Sequence, residues 1–377
     1  KRNIKKRNQV IWYTNHRRRI MSDYLETIKT KYDIKDYVEP LITIPDLPQE
    51  GIVLIVGTSG SGKSTILRSL GLTDVIQINS DSTVIENFSS PERGEELLLA
   101  TGLRSIPAWF RPARTLSNGE YHRFEMALSL DQGIAVIDEF TSVVDRDTAK
   151  SLAYSIRKYY DQRTDADTQV LYIASCHRDI VEWLDPDWVY DTDLCVLENR
   201  RLLHRLGRPR ITLTIRSTSR HYWQHFGKYH YLDTAISKSA HYYVGLIGAK
   251  PVAFHAAIHS TNRDIHSYWR GHRTVVLPEF QGLGIGTAFS DAIAELYVSR
   301  GLRYFSKTAH PAFGEHRERS PLWRPTSMNR KSRTGSYLNR DGTARTMPGY
   351  GGKTTVRDAY RVCYSHEYIG NTTTKNK

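Results

Sequence analysis

The apolar residues of this chain fall into short runs divided by polar turns, and two of the runs lead into glycine-rich loops. Ile52-Val-Leu-Ile-Val56 is uninterrupted, the pattern of a strand buried on both faces. It passes into Gly57-Thr-Ser-Gly-Ser-Gly62 and then into a helical pattern reaching Leu70. The same order recurs at strand Thr274–Pro278, loop Gln281–Gly286 and helix Thr287–Arg300, where Phe289, Ile293, Leu296 and Tyr297 share one side. Between the two units the apolar spacing predicts strands at Ile134–Ile137 and Val170–Ala174, with a helix from Glu120 to Leu130. Further strands are expected at Ile211–Ile215, Tyr242–Ile247 and Pro251–Ile258, the last two joined as a hairpin at Gly248-Ala-Lys250, and at Arg303–Lys307. Strands alternating with helices place the chain in the α/β class.

With 377 residues the chain is long enough for two folded units, and 39% hydrophobic with 25% charged residues excludes the disordered and fibrous classes. No apolar run approaches the roughly 20 residues of a membrane span, and residues 1–19 lack the apolar centre of a signal peptide. A soluble, cytoplasmic protein without a membrane partner is expected. Cys176, Cys195 and Cys363 form no C-x-x-C pair, which argues against a disulfide framework or a zinc knuckle.

Charge changes the picture. The net charge of +13 is unevenly spread: residues 1–19 hold eight basic and no acidic residues, 20–206 hold 19 against 30, 207–297 hold 10 against 5, and 298–377 hold 16 against 5. An acidic centre between basic flanks points to a polyanion partner, because Lys and Arg gain by displacing counterions from phosphates. The expected organisation is a basic arm at 1–19, a first domain at 20–206, a second at 207–325 and a basic extension at 326–377, rich in Arg, Ser, Gly and Thr.

The first loop carries its own chemistry. Gly57, Gly60 and Gly62 let successive backbone N–H groups face inward at phosphate oxygens, Lys63 adds a cation and the Ser64 hydroxyl can ligate magnesium, with Ser59 and Thr65 completing the loop. Downstream stand Leu116-Ser-Asn-Gly-Glu120, Asp138-Glu139 at the end of an apolar run, Ser142-Val-Val-Asp145, and His177 after a strand. Together these resemble the phosphate loop, signature, carboxylate pair and D-loop of ABC-type ATPases. The resemblance implies ATP and Mg2+ as ligands, Asp138 holding the metal with Ser64, Glu139 orienting and deprotonating the attacking water, and His177 contacting the γ-phosphate. It also implies that Ser117 and Gly119 meet the nucleotide of a second subunit in an ATP-dependent head-to-tail homodimer. Only 60 residues separate Gly57 from Ser117, fewer than the family usually has, so a transporter role is not expected.

The second loop lacks the glycine a dinucleotide fingerprint requires, since Thr287 stands in its place. Gln281, Gly284 and Gly286, with Gly282 as an additional glycine, resemble motif A of GNAT-type acyltransferases. That resemblance implies a mixed α/β domain, a strand at 303–307 splayed from its neighbour, and acetyl-CoA or another acyl donor with its pyrophosphate at the helix N-terminus. Tyr304, Ser306, His310, Glu279 and Asp291 fall near the expected cleft, and sequence alone does not choose among them. The combined arrangement, a P-loop ABC-type ATPase domain followed by a GNAT-like domain, resembles phage and archaeal ABC-ATPase/acetyltransferase fusions. Gln281 with Thr308-Ala-His-Pro311 and Pro321-Leu-Trp323 is also similar to Mom-type DNA-modifying proteins of phages. The expected function is ATP hydrolysis coupled to acyl or group transfer onto nucleic acid, DNA favoured over RNA. The alternatives are a nucleic-acid-binding ATPase switch with a non-catalytic recognition module, and a protein acetyltransferase.

Overall fold

The computed structural model describes residues 24–33, 44–71, 76–163, 170–201, 209–230, 235–261, 265, 267–332, 343, 346–347, 352–353 and 360–370. The chain divides into two compact units, Lys1–Pro45 and Asp46–Lys377. In the first, residues 24–32 are helical and largely exposed. The expected basic arm at 1–19 and the domain boundary at 206 lie outside the described residues.

The second unit contains two large sheets, each with its own core, here called its first and second lobes, and a two-stranded ribbon that pairs Thr346–Met347 with Gly352–Lys353. The first sheet has five strands in the order β2 (Val136–Ile137), β3 (Leu171–Ser175), β1 (Ile52–Val56), β4 (Trp188–Asp191) and β5 (Val196–Asn199). The first four run parallel and β5 closes one edge antiparallel. Every residue of β1 and β3 is buried, as expected of parallel strands covered on both faces. Leu54, Ile137, Phe140, Leu152, Ile156 and Ile173 form the core between this sheet and helix Arg146–Asp161. The start of β1 is held by Asp187, which accepts from Ile52 N at 2.9 Å and pairs with buried Arg157 at 2.9 Å. A small helical subdomain, with helices Pro91–Ala100 and Asn118–Asp131, has its own core of Val84, Phe88, Leu97, Trp109 and Phe124.

The second sheet has seven strands. In chain order they are β6 (Thr214–Thr218), β7 (His241–Ile247), β8 (Lys250–Ser260), β9 (Tyr268–Val276), β10 (Tyr304–Thr308), β11 (Trp323–Pro325) and β12 (Tyr364–Tyr368). Spatially the order is β11-β12-β10-β9-β8-β7-β6, with β9 and β10 the one parallel pair of neighbours in this sheet. Helix Ile285–Val298 covers it, burying Phe289, Ile293 and Tyr297 against Phe254, Val275 and Tyr304. Two local features open the sheet. The β9–β10 ladder pairs only Trp269 with Tyr304 and Arg270 with Phe305, beyond which the strands are no longer paired, as the expected splay requires. A bulge in β9 sets Gly271 and Arg273 opposite consecutive residues Ala257 and Ala256, leaving His272 as the extra residue.

Four expectations change, the first being the opening strand of the second lobe, which runs Thr214–Thr218 rather than Ile211–Ile215. The helix of the second unit begins at Ile285 rather than Thr287, because Gly284 adopts φ 79° and already serves as its N-cap. Strand β9 starts six residues before Thr274, over a half-buried stretch without the apolar run that marks a strand. Part of the segment beyond 325, expected as a basic extension, supplies β12, which inserts between β10 and β11 with His366 and Tyr368 buried. No sequence pattern announces that pairing, since only the neighbouring strands give a five-residue polar segment its place.

Candidate active sites

Parallel topology brings the first set of residues together. Strands β1, β2, β3 and β4 end on one edge of their sheet, and those ends lead into Gly57, Asp138, Cys176-His177 and Thr192-Asp193. Ligands of open α/β sheets bind at this edge. The loop is shaped by its glycines: Gly60 and Gly62 lie at φ 81° and 91°, and a Cβ on Gly57 would fall 1.9 Å from Thr192 Oγ1. Ser59 and Thr65 are exposed and Ser64 is half-buried at the first turn of helix Lys63–Ser69. Lys63 is buried and donates to Gly57 O at 2.9 Å and Thr58 O at 2.6 Å, so the cation sits inside the loop it serves.

Residues with no sequence signature brace this loop. Asp193 accepts from Thr58 N at 2.9 Å and from Thr58 Oγ1 at 2.8 Å, while Arg178 pairs with both Asp191 and Asp193. The Thr58 hydrogen bonds, with the Arg178 charge, hold Asp193 below the usual carboxylate range. Asp138 accepts from Glu139 N at 2.8 Å, and Glu139 adopts φ 50°, an uncommon backbone for a residue with a side chain. Its carboxylate accepts from Ser142 Oγ. His177 is tied to the same turn: its Nδ1 lies 2.9 Å from Thr141 Oγ1, and Thr141 lies 2.9 Å from Ser175 Oγ. Thr141 and Ser175 are buried, so this chain of hydroxyls fixes the imidazole against the carboxylate turn. Ligand atoms of the type magnesium takes, the Ser64 hydroxyl and the Asp138 carboxylate, thus stand at one sheet edge.

Ser117 caps helix Asn118–Asp131 and exchanges hydrogen bonds with Glu120, a capping box that leaves the helix N-terminus exposed beside Gly119. A Cβ on Gly119 would lie 3.2 Å from Val143 O, so the Ser117–Glu120 turn packs against the Ser142–Asp145 turn, where Asp145 caps the next helix. Among the described residues no hydrogen bond joins this turn to the Gly57 loop of the same chain.

In the second lobe, Gln281 Nε2 donates to Val276 O at 2.8 Å and so locks the loop to the end of β9. Gly282 and Gly284 lie at φ 88° and 79°, and the space where a Cβ of Gly284 would project is open. Gly284 offers no side-chain cap and the first turn holds no acid, so the amides of Ile285, Gly286 and Thr287 are left without intrahelical acceptors. Gly286 packs against Phe313 and Val276, each 3.2 Å from its would-be Cβ, which sets this N-terminus beside that of helix Pro311–Arg319.

The candidate acids and bases separate. Tyr304 is fully buried, lies 2.8 Å from His255 Nε2, and burial pushes its phenol up. His255 is buried between Tyr304 and Thr274 and is pulled down to about 3, first by desolvation and then by the Arg317 and His272 charges. Ser306 is buried; Asp291 accepts from Trp323 Nε1 at 2.8 Å, and Glu279 lies 3.8 Å from Lys250. Desolvation and then the Arg104 charge lower His310, which stands at the N-cap position of helix Pro311–Arg319.

The two lobes touch at the second loop. Ser151 Oγ donates to Gln281 O, Lys250 Nζ meets Asp147 at 3.0 Å, and Arg104 of the helical subdomain lies against Gly282. Arg104, Thr141, Arg178 and Asp193 carry no motif, because their roles exist only across elements distant in sequence.

No family model matches the chain, and no curated protein matches it. Solved structures similar to it include ABC cassettes and acetyltransferases. One is a dimeric ATP-binding cassette in a post-hydrolysis state bound to ADP and phosphate, 16% identical over 41% of this chain and 89% of that chain, with a TM-score of 0.32. Another is the ribosomal-protein-S18-alanine N-acetyltransferase from Escherichia coli, 14% identical over 44% of this chain and 99% of that one, TM-score 0.29. A third is an IAA acetyltransferase from Bacillus cereus, 11% identical over 42% and 99%, TM-score 0.29. Among the described residues no helix is long and apolar enough to cross a membrane.

Proposed function

We propose that the chain is an ATP-hydrolysing ABC-type ATPase coupled to a GNAT-type acyl or group transferase that modifies nucleic acid, DNA before RNA. The observation that carries this reading is the convergence of Gly57–Thr65, Asp138-Glu139 and His177 at one edge of a parallel sheet, within the same compact unit as a second strand–glycine loop–helix at Gln281–Gly286. In the first site the loop amides and Lys63 bind the phosphates, and Ser64 and Asp138 are the residues to hold Mg2+, which when bound neutralises developing charge on the phosphoryl group. Glu139 takes the proton of the attacking water, and His177, held by Thr141, contacts the γ-phosphate. Ser117 and Gly119 turn outward to a second subunit's nucleotide in a head-to-tail dimer. In the second site the amides of Ile285 to Thr287 receive the donor's pyrophosphate and the unpaired stretch between β9 and β10 admits its arm. Arg216, Arg220, Lys228, Lys238, Arg300 and Arg319 are exposed on the second lobe, which supports a polyanionic acceptor.

Calorimetric titration of the intact chain with ATP and with acetyl-CoA tests both sites, and mass spectrometry of nucleosides from cells with and without the gene tests the acceptor. Nucleic-acid affinity that stays flat as salt rises would remove the polyanion argument. One observation favours a second reading, an ATPase switch whose second lobe only recognises: Tyr304 is sealed from solvent and Asp291 is occupied by Trp323, leaving few groups for acid–base work.

A further inference from the structure

A helix N-terminus that binds an anion is strengthened by a cation near it, and the second loop contains none. Between Gln281 and Thr287 there is no Lys or Arg. The nearest cation in space comes from the first lobe. Arg104 follows helix Pro91–Ala100 in the helical subdomain, and a Cβ placed on Gly282 would fall 2.6 Å from its Nη2, 2.7 Å from its Cζ and 2.9 Å from its Nε. The guanidinium is therefore seated against the loop backbone.

Its surroundings are those of an uncompensated charge. Nη2 donates to Ser155 Oγ at 2.8 Å, Nε is buried without an acceptor, and among the described residues no carboxylate pairs with it. Desolvation alone pulls the group down to about 10. A partly buried cation whose Nε is out of water with neither acceptor nor counter-charge is costly and is ordinarily paired. The anion that would satisfy it is the one the neighbouring backbone also calls for. The first turn of helix Ile285–Val298 is uncapped and free of acid, and His310, at the N-terminus of helix Pro311–Arg319, also feels the Arg104 charge. The guanidinium thus seats on Gly282, two residues before the N-cap Gly284, and Gly286 packs on Phe313 of helix Pro311–Arg319, so the two helix N-termini lie side by side next to a cation with no counter-charge among the described residues.

We propose that Arg104 of the ATPase lobe supplies the cation of the second lobe's anion site, so that a pyrophosphate on residues 282–287 is bound jointly by both lobes. This rests on reading Gln281–Gly286 as an acyl-donor loop and adds that the ATPase lobe completes it. Joint binding makes the donor a clamp across the Ser151–Gln281 contact, and by linkage any shift of the helical subdomain that moves Arg104 changes donor affinity.

The experiment uses the full chain carrying Lys63→Ala, which silences the first phosphate loop, with inorganic pyrophosphate and coenzyme A as separate calorimetric probes. Arg104→Met keeps the bulk of the side chain and removes the charge; Arg104→Lys restores a charge without the planar fork. The expected result is binding of both probes about 10- to 100-fold weaker in the Met variant, the range of a charge-assisted contact, with partial recovery in the Lys variant. The unliganded Met variant should melt no lower than its parent, since a cation without a counter-charge has gone, and should lose the melting rise that the probes give. Pyrophosphate that binds and depends on Arg104 while coenzyme A does not bind upholds this site and removes the acyl-donor reading. Coenzyme A binding that is unchanged in the Met variant overturns the inference and leaves that reading intact. Tighter binding in the Met variant makes Arg104 a plug and also overturns it, as does an intact chain that binds neither probe.

Discussion

The same local device, a strand running through glycines into a helix, occurs twice in this chain and is completed in two different ways. At Gly57–Thr65 the loop contains its cation, Lys63, and is braced by Asp193 and Thr192 from the adjoining strand of its own sheet. At Gln281–Gly286 the loop contains no cation, is braced by its own Gln281 on one side and touched by Ser151 and Arg104 of the other lobe on the second. The difference teaches that a loop of this kind can carry its own cation or be met by one from another lobe, and that glycine spacing alone does not tell which.

The sharpest separation of the two loops is expected from Glu139→Gln. Removing the carboxylate proposed to activate water should lower ATP turnover about 10²- to 10⁴-fold while ATP still binds, and the trapped nucleotide should accumulate dimer in sedimentation. Donor binding at the second loop should stay as it was. A variant that remains monomeric at saturating ATP would remove the head-to-tail reading.

Gly284→Glu is the reverse cut. It forces a side chain into a left-handed position and sets a negative charge where the anion must approach, so coenzyme A binding should fall by about 10²-fold or more, with ATP affinity unchanged. Gly284→Asn, which tolerates that backbone, should fall much less. Equal losses from both substitutions would show that the bulk of any side chain at 284, rather than its charge, accounts for the effect.

The lobes also differ in how they bury ionisable groups. In the first, Arg157 is paired with Asp187; in the second, His255 is buried neutral between two hydroxyls. The unfolded chain protonates this histidine near pH 6.5, whereas the folded one resists until about 3, so protons favour unfolding and stability falls as pH drops through that window. The expected slope from this group is about 1.4 kcal/mol per pH unit, tenfold in the folding equilibrium. His255→Gln should flatten the acid limb of a melting-temperature profile. An unchanged limb would show that other groups set it.

The smallest expected effect is that of Thr141→Val, which removes the hydroxyl between Ser175 and His177 and keeps the shape. Turnover should fall severalfold and ATP affinity should not move, because the histidine is loosened rather than removed. A matching loss of ATP affinity would place Thr141 in binding instead of positioning.

Motifs whose members are close together were legible from residues alone. Gly57–Thr65, Asp138-Glu139 and Gln281–Gly286 each sit within a few positions, and apolar spacing places each between a strand and a turn or helix. Strand β12 and the start of β9 were not legible, since a half-buried, polar strand owes its conformation to the neighbours it pairs with. Proximity in sequence points to Tyr304 and Asp291 as acid–base candidates, and the fold turns one inward to His255 and gives the other to Trp323.

What the sequence by itself determined is the α/β class, two glycine-rich loops between a strand and a helix, and the uneven charge, because each depends on backbone freedom, periodicity or a sum over residues. Only the tertiary structure decided what stands beside those loops. That His177 hangs on Thr141, that Asp193 holds Thr58, and that Arg104 crosses from one lobe to meet Gly282 are facts of contact between elements dozens to more than a hundred residues apart. No local propensity encodes such contacts; they appear when burial of the two cores fixes where each helix and strand end must lie.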